Sequence, residues 1–454
     1  MSVVFHHVPK TAGTSLIALL KQQFSFARVC PDRALPVNRF VRPSDPLLKR
    51  LDPEIGRYGL FCGHYYFDLT CLVPGRPMAR VIFFREPADR LISYYFHRYH
   101  TRDVTIDRAF RAGEISAERA AFIREVRRMT LRDYLGRDGS GPAQDPLTDL
   151  QARIAAAALG QTGIKEPEST AREFDTIGIT EWFEPSLQLM CFERGFKYPG
   201  RTLALNERAS PGCYDRADTR AMRTIDRMTQ KDRALYTAAK AEFLERYRRM
   251  IRAIFEGSGV HAKRIDHVLG LPFSVDGRSM IAAALDAYYR RNAPEYFKAF
   301  PRLVIPRGGA MRLNMSDAIC GSGWLARDGE DVGDLEGMSR WSGPGTVSEL
   351  DFLVGPGAPL VMTADIAGEI EEGILKKTSV LANGRPLEPA VEEKNGNGAL
   401  LRCRIPGGCA EPNGLLSLRF VTPRTVSHHE LNGADDRRPK GFRLSSVTIE
   451  PAAA

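Results

Sequence analysis

His7-Val8-Pro9-Lys10-Thr11-Ala12-Gly13-Thr14-Ser15-Leu16 lies between an apolar run that starts at Val3 and an amphipathic run that ends near Phe24. The order is that of a strand over 3–8, a tight loop rich in hydroxyls, and a helix from about Ser15. The first N–H groups of a helix have no partner within it and carry partial positive charge, so a phosphate or sulfate can seat there. Gly13 lets the backbone approach such an anion, Thr11, Thr14 and Ser15 add hydroxyl donors, and Lys10 adds a mobile point charge. The stretch differs from a nucleoside-triphosphate loop. GxxxxGK followed by Ser or Thr needs a glycine well before the second one and a lysine just after it, and here the lysine comes first. Taken alone, the stretch also fits a capped helix start with a turn glycine.

Downstream, a strand pattern from Arg80 to Phe84 runs into Arg85-Glu86-Pro87-Ala88-Asp89-Arg90-Leu91-Ile92-Ser93. Pro87 suits the first turn of a helix that would carry Ser93, and Arg85 offers a bidentate fork to an anion or pairs with Glu86 or Asp89. Between these segments Leu60-Phe61-Cys62-Gly63-His64-Tyr65-Tyr66-Phe67 reads as a short strand that delivers a histidine. Imidazole, with its ordinary pKa of about 6.5, keeps a neutral fraction suited to a general base, although a histidine among aromatics is also a common core residue.

The loop PKTAGTS after a strand resembles the 5′-phosphosulfate loop of the sulfotransferase superfamily, in particular its bacterial carbohydrate branch that includes the heparan sulfate 2-O-sulfotransferases. The segment from Arg85 to Ser93 is similar to the family's 3′-phosphate-binding segment, and His64 stands where the family has its general base. The resemblance extends more weakly through Gly178 to Glu184, the loop around Asn206, and Asp232, Leu235 and Tyr236, so that it covers roughly the first 250 residues. It implies 3′-phosphoadenosine-5′-phosphosulfate (PAPS) as co-substrate, leaving as PAP, with Lys10, Thr11, Gly13, Thr14, Ser15, Arg85 and Ser93 as its binding residues. It further implies in-line transfer of a sulfuryl group to a carbohydrate hydroxyl, His64 and Lys10 as catalytic residues, and no metal. Where the uronyl 2-O-sulfotransferases have a second histidine two residues before the base, this chain has Cys62, a departure that counts against heparan-like uronic acid specificity and leaves the base itself intact. A lipid or small-molecule acceptor, and a catalytically dead glycan-binding protein, are the competing functions.

Working outward, apolar runs at Leu60 to Gly63 and Thr176 to Ile179 add strands, and Pro87 to Tyr99, Pro185 to Arg194 and Thr219 to Phe255 read as helices. The expected fold is α/β, a P-loop-like parallel sheet flanked by helices over 1–257, then a helical connector over 258–305. Beyond it the period becomes two, as in Leu350, Phe352 and Val354 or Leu416, Leu418 and Phe420, with Asn383-Gly384 suited to a type I′ hairpin turn. An all-β sandwich over 306–454 follows, and Trp324 and Trp341 either stack on sugars or fill its core.

The 454 residues are 43% hydrophobic and 26% charged, an ordinary globular balance. No apolar run approaches the length of a membrane span and the start lacks the pattern of a signal peptide, so a cytoplasmic location is expected. The eight cysteines form no CxxC pair and read as buried reduced thiols. The net charge of +9 fits an anionic ligand; arginines crowd 98–137 as a solvated helix face or a binding surface, and no nucleic-acid module is recognised.

Overall fold

A computed structural model of the chain describes residues 2–35, 40–44, 48–49, 54–113, 115–136, 147–200, 218–256, 262–270, 273–328, 337–355, 357–394 and 398–452. Two compact units are present, one formed by 1–17, 30–190 and 204–249, the other by 18–29, 191–203 and 250–454.

In the first unit β1 (Val3–His6) leads through the loop into α1 (Gly13–Gln22). There follow β2 (Phe40–Val41), β3 (Leu60–Tyr65), β4 (Ala79–Phe84) and α2 (Pro87–Tyr99). Next come the helices α3 (Asp103–Arg111), α4 (Ala117–Val126), α5 (Leu131–Gly136), α6 (Leu150–Ala158) and α7 (Pro167–Arg172). The rest is β5 (Thr176–Ile179), α8 (Phe183–Arg194), α9 (Thr219–Met228) and α10 (Gln230–Phe255). The sheet order is β2-β3-β1-β4-β5, and every pairing is parallel. All residues of β1, β3 and β5 are buried, the reason these strands are apolar runs rather than alternating ones: parallel strands are covered on both faces. Pro87 starts α2, the Glu86 carboxylate accepts from Asp89 N at 2.7 Å as its cap, and Leu91, Tyr94 and Tyr95 pack it against Ile123, Tyr134 and Ile225.

The helical region expected from Thr219 to Phe255 is two helices that meet at Thr229, where Asp149 N–H donates to the Met228 carbonyl at 2.8 Å and the Asp149 carboxylate accepts from Lys231 N at 2.8 Å. The arginine-rich stretch divides likewise, and some of its charge is paired within the unit: Arg124 with Asp107 at 2.5 Å, Arg127 with Asp103 at 2.8 Å and Arg132 with Asp218 at 2.8 Å. Arg124 and Arg132 lie exposed beside their partners, as on a solvated helix face, and Arg137 lies outside the described residues.

The second unit contains α11 (Ala262–Gly270), α12 (Val275–Arg291) and α13 (Ala293–Phe297). Its strands are β6 (Val304–Ile305), β7 (Met311–Asn314), β8 (Gly321–Ser322), β9 (Trp324–Asp328), β10 (Ser339–Ser342), β11 (Val347–Val354) and β12 (Leu360–Glu369). They continue with β13 (Ser379–Ala382), β14 (Arg385–Leu387), β15 (Pro389–Glu393), β16 (Ala399–Ile405), β17 (Leu415–Val421) and β18 (Phe442–Pro451). One sheet runs β15-β16-β12-β18-β10-β9 with β7 also on β18, the other β14-β13-β17-β11-β6 with β8 also on β11. Pairing is antiparallel apart from β6 with β11. Asn383 and Gly384 have φ of 45° and 81°, the positive pair that the expected turn requires.

Trp324 sits among Phe420 and Phe442 and donates its Nε1–H to the Glu349 carbonyl at 2.9 Å. Trp341 donates to Asp328 Oδ2 at 2.9 Å, with the Lys440 ammonium 5.0 Å from its ring. Both tryptophans are buried, so the core reading holds for each and neither offers a stacking face to a sugar. Deeper still, Lys197 is 4% exposed and lies 2.6 Å from Asp351 and 3.1 Å from Glu349. Burial by itself would discourage charge on Lys197, but the two carboxylates push its pKa above the ordinary range. Tyr289 donates to the same Asp351 oxygen at 2.8 Å and Ser417 to its other oxygen at 2.5 Å, so the group is closed by hydrogen bonds.

Candidate active site

The ends of four parallel strands bring the expected residues to one edge of the sheet. The chain leaves β1 with His7 N still bonded to the Gly63 carbonyl at 2.8 Å, which carries the ladder one residue past the strand. Lys10 and Ala12 then adopt φ of 71° and 60°. Non-glycine residues in this left-handed region are strained by an order of 1–3 kcal/mol each, and such strain gathers where backbone N–H groups must face a ligand. Leu16 N bonds to the Ala12 carbonyl at 3.2 Å, so α1 begins directly after the strained turn.

Gly13 is required by contact rather than by its dihedrals. A β-carbon there would stand 1.9 Å from His7 Nε2, so the imidazole of His7 occupies the space that any side chain at 13 would need. That same ring stacks on His64, with centroids 4.3 Å apart and planes 26° from parallel. His64 Nδ1 lies 2.5 Å from the His7 carbonyl oxygen. A carbonyl only accepts, so Nδ1 carries the proton and Nε2 is the basic nitrogen of the neutral ring. Burial is the largest influence on His64 and lowers its pKa; the His7 bond raises it, Arg98 lowers it, and the balance is about 4. His64 is thus neutral throughout the neutral range.

Arg85 follows the last residue of β4 and sends Nη1 to the Lys10 carbonyl at 3.1 Å, rather than to Glu86 or Asp89. The two candidate anion segments are joined by this bond. The Arg85 backbone is gripped at both ends by one side chain: its N–H donates to Gln151 Oε1 at 2.9 Å and its carbonyl accepts from Gln151 Nε2 at 2.8 Å. Ser93 lies on α2, half-buried, and among the described residues its hydroxyl is bonded to no protein group. Thr14 is exposed at the first turn of α1 and Ser15 buried beside it.

Thr11 departs from expectation. It is fully buried, and its hydroxyl donates to the Val8 carbonyl at 2.8 Å. A hydroxyl has one proton to give, so this side chain closes the loop, and only its backbone N–H remains for an anion.

From β5, Thr180 donates to the Phe84 carbonyl at 3.0 Å, and the Glu181 carboxylate accepts from Glu86 N at 2.8 Å and from the Tyr236 hydroxyl at 2.9 Å. Trp182 is packed between Phe243, at 5.6 Å, and the Lys240 ammonium, at 4.6 Å from its ring. Cys62 is buried in β3. Asn206 lies outside the described residues. Nothing in the sequence assigns a role to His7, Gln151 or Glu181: His7 reads as the end of an apolar strand, Glu181 lies in the weaker stretch from Gly178 to Glu184, and Gln151 comes from a distant segment with no motif around it.

Among the described residues no three His, Cys, Asp or Glu side chains gather to hold a metal, and no helix is long and apolar enough to cross a membrane. The strained loop, the glycine without room for a side chain and the arginine bound to the loop thus lie together just beyond the ends of β1 and β4. No protein-family model matches the chain, and no curated protein matches it. Among solved structures, the ANX2 ectodomain from Arabidopsis thaliana is 14% identical over 26% of this chain and 33% of that chain, at a TM-score of 0.18 that carries no inference about fold or function.

Proposed function

We propose that the chain is a PAPS-dependent sulfotransferase that transfers a sulfuryl group to a hydroxyl of a carbohydrate acceptor, with a P-loop-like α/β domain, a C-terminal β-sandwich and a cytoplasmic location. The observation that carries this reading is the bond from Arg85 Nη1 to the Lys10 carbonyl, beside a histidine whose tautomer is set by the neighbouring strand end. A central strand followed by an anion loop and helix, with neighbours β3 and β4 on either side, is consistent with it, since open α/β sheets bind ligands beyond the carboxyl ends of their strands.

PAPS supplies an activated sulfuryl group. The chain's residues bind and orient it: loop N–H groups, Lys10, Thr14 and Ser15 at the 5′ end, Arg85 and Ser93 at the 3′-phosphate. His64 Nε2 takes the proton of the acceptor hydroxyl as oxygen bonds to sulfur, and the bond from sulfur to the bridging phosphate oxygen breaks. Lys10 and the loop N–H groups offset the negative charge that develops on that oxygen. His7 holds the base in place through its carbonyl and its stacked ring.

Calorimetric titration with PAP, against AMP and ATP, tests the donor site. Selective PAP binding that Arg85→Ala weakens is expected, and a preference for ATP would refute the reading. His64→Ala is expected to retain PAP binding while transfer falls about 100- to 10,000-fold, the range for loss of a general base. An acceptor panel then separates carbohydrate from lipid or phenol.

A further inference from the structure

We infer that Gln151 is the positioning residue of the 3′-phosphate pocket, acting through the backbone of Arg85; this rests on the function proposed above. Gln151 is fully buried, and both ends of its carboxamide are spent on one residue, Oε1 on Arg85 N–H at 2.9 Å and Nε2 on the Arg85 carbonyl at 2.8 Å. The amide acts as a one-residue extension of the sheet at the point where β4 ends and ordinary ladder bonds stop. It thereby fixes the direction in which the Arg85 side chain leaves the backbone. Arginine is long and loses much rotamer freedom on binding, so a fixed base is what allows its guanidinium to rest on the Lys10 carbonyl at 3.1 Å before any ligand arrives.

The clamp is itself held from behind. Asp149 precedes α6 with a φ of 44°, and its carboxylate accepts from Lys231 N at 2.8 Å and Asp232 N at 3.1 Å, in the first turn of α10. Asp232 returns the favour, accepting from Ala152 N at 2.8 Å in the first turn of α6. The starts of α6 and α10 hold each other, and Gln151 stands between Asp149, whose carboxylate caps α10, and Ala152, whose N–H is capped by Asp232. The other oxygen of Asp232 lies 4.0 Å from Nε of Arg90, a fully buried arginine on α2, the helix that also carries Ser93. Arg85 is thus held by two hydrogen bonds of Gln151, and α2, which carries Ser93, meets the same helix starts through the longer Arg90–Asp232 contact.

The test compares PAP, which has the 3′-phosphate, with AMP, which lacks it. Gln151→Met keeps the length of the side chain and removes both bonds. It is expected to weaken PAP binding by about tenfold or more, the scale of two lost hydrogen bonds, while AMP binding stays within twofold of the unchanged chain. In an Arg85→Ala background the same substitution is expected to have no further effect on PAP. Should Gln151→Met fail to show a cooperative melt, Gln151→Glu takes its place, since it keeps the bond from Arg85 N–H and sets an anion against the Arg85 carbonyl; the same selective loss is expected. Equal weakening of PAP and AMP, or additive effects with Arg85→Ala, would mean that Gln151 only supports the fold and would overturn the inference. Arg85-dependent PAP binding that is indifferent to Gln151 refutes the inference alone, whereas a chain that binds no PAP refutes the proposed function and the inference with it.

Discussion

At the scale of single residues, the site depends on one side chain that is absent. Gly13 has no β-carbon, and the His7 ring fills that space while bracing His64. Gly13→Ala therefore forces the His7 ring aside, with an overpacking penalty of about 1–3 kcal/mol. The expected outcome is a lower melting temperature together with lost PAP binding; His7→Ala added to it removes the obstacle and recovers the melting temperature, as differential scanning fluorimetry would show. An unchanged melt for Gly13→Ala alone would contradict this account. That Lys10, His64 and Arg85 lie in or just beyond the ends of β1, β3 and β4 was legible in the sequence, because the apolar runs that precede them mark those ends. The hydroxyl of Thr11 was not, because its bond to Val8 depends on the strained turn and not on its neighbours in sequence. Gln151 was beyond reach for a different reason: its partner is 66 residues away and nothing about an isolated glutamine announces a clamp.

At the scale of elements, β1 and β3 concentrate buried imidazoles. His6 has neither ring nitrogen hydrogen-bonded and is edge-packed by Tyr65 and Phe174; burial takes its pKa down to about 3. His7 is pushed well below the ordinary value by burial, then by His64 and Lys10, and His64 stands at about 4. Each of the three binds a proton more readily when unfolded than when folded. Their contribution to stability is therefore present above about pH 6.5 and is lost as pH falls toward 4 and then 3, at about 1.4 kcal/mol per pH unit for each group. Asp232 works the other way, its carboxyl raised by burial to about 6, but it is one group against three. Urea midpoints measured from pH 7 to pH 4 are expected to fall steeply, and His6→Phe to raise the midpoint at low pH and flatten the slope by about one proton. A slope untouched by His6→Phe would refute the burial argument. The strands themselves were plain in the sequence, since Val3-Val4-Phe5 or Val81-Ile82-Phe83-Phe84 can only be parallel core. The two-residue β2 and the break at Thr229 were not, because one exists only by pairing with β3 and the other falls where Asp149, far upstream in the chain, bonds the end of one helix and the start of the next.

At the scale of the whole molecule, the units do not follow one cut through the chain. The second unit takes in 18–29 and 191–203 as well as everything from 250 onward. Gln22 Nε2 donates to the Trp324 carbonyl at 3.0 Å, Phe26 N to the Ser316 carbonyl at 2.7 Å, and Lys197 is neutralised by Asp351 and Glu349. A chain ended at residue 257 would strip these partners away and leave the Lys197 charge without its carboxylates. It is expected to be insoluble or to melt without cooperativity, as circular dichroism of the truncated chain would reveal; a sharp melt near that of the full chain would overturn the point. The change of period from helical to alternating did announce a β-rich second part, but periodicity is local and cannot show that distant segments join it. The bond between Gln22 and Trp324 spans 302 residues of chain. At ribosomal speeds of about 5–20 residues per second, the first of these partners emerges roughly 15–60 s before the second. For that interval Phe24 of the short segment 18–29 can already meet Phe196, but Gln22 lacks the carbonyl that it bonds in the folded chain. Synthesis in the cell then becomes a waiting problem, in which yield depends on how well that short segment is shielded until the last strands arrive.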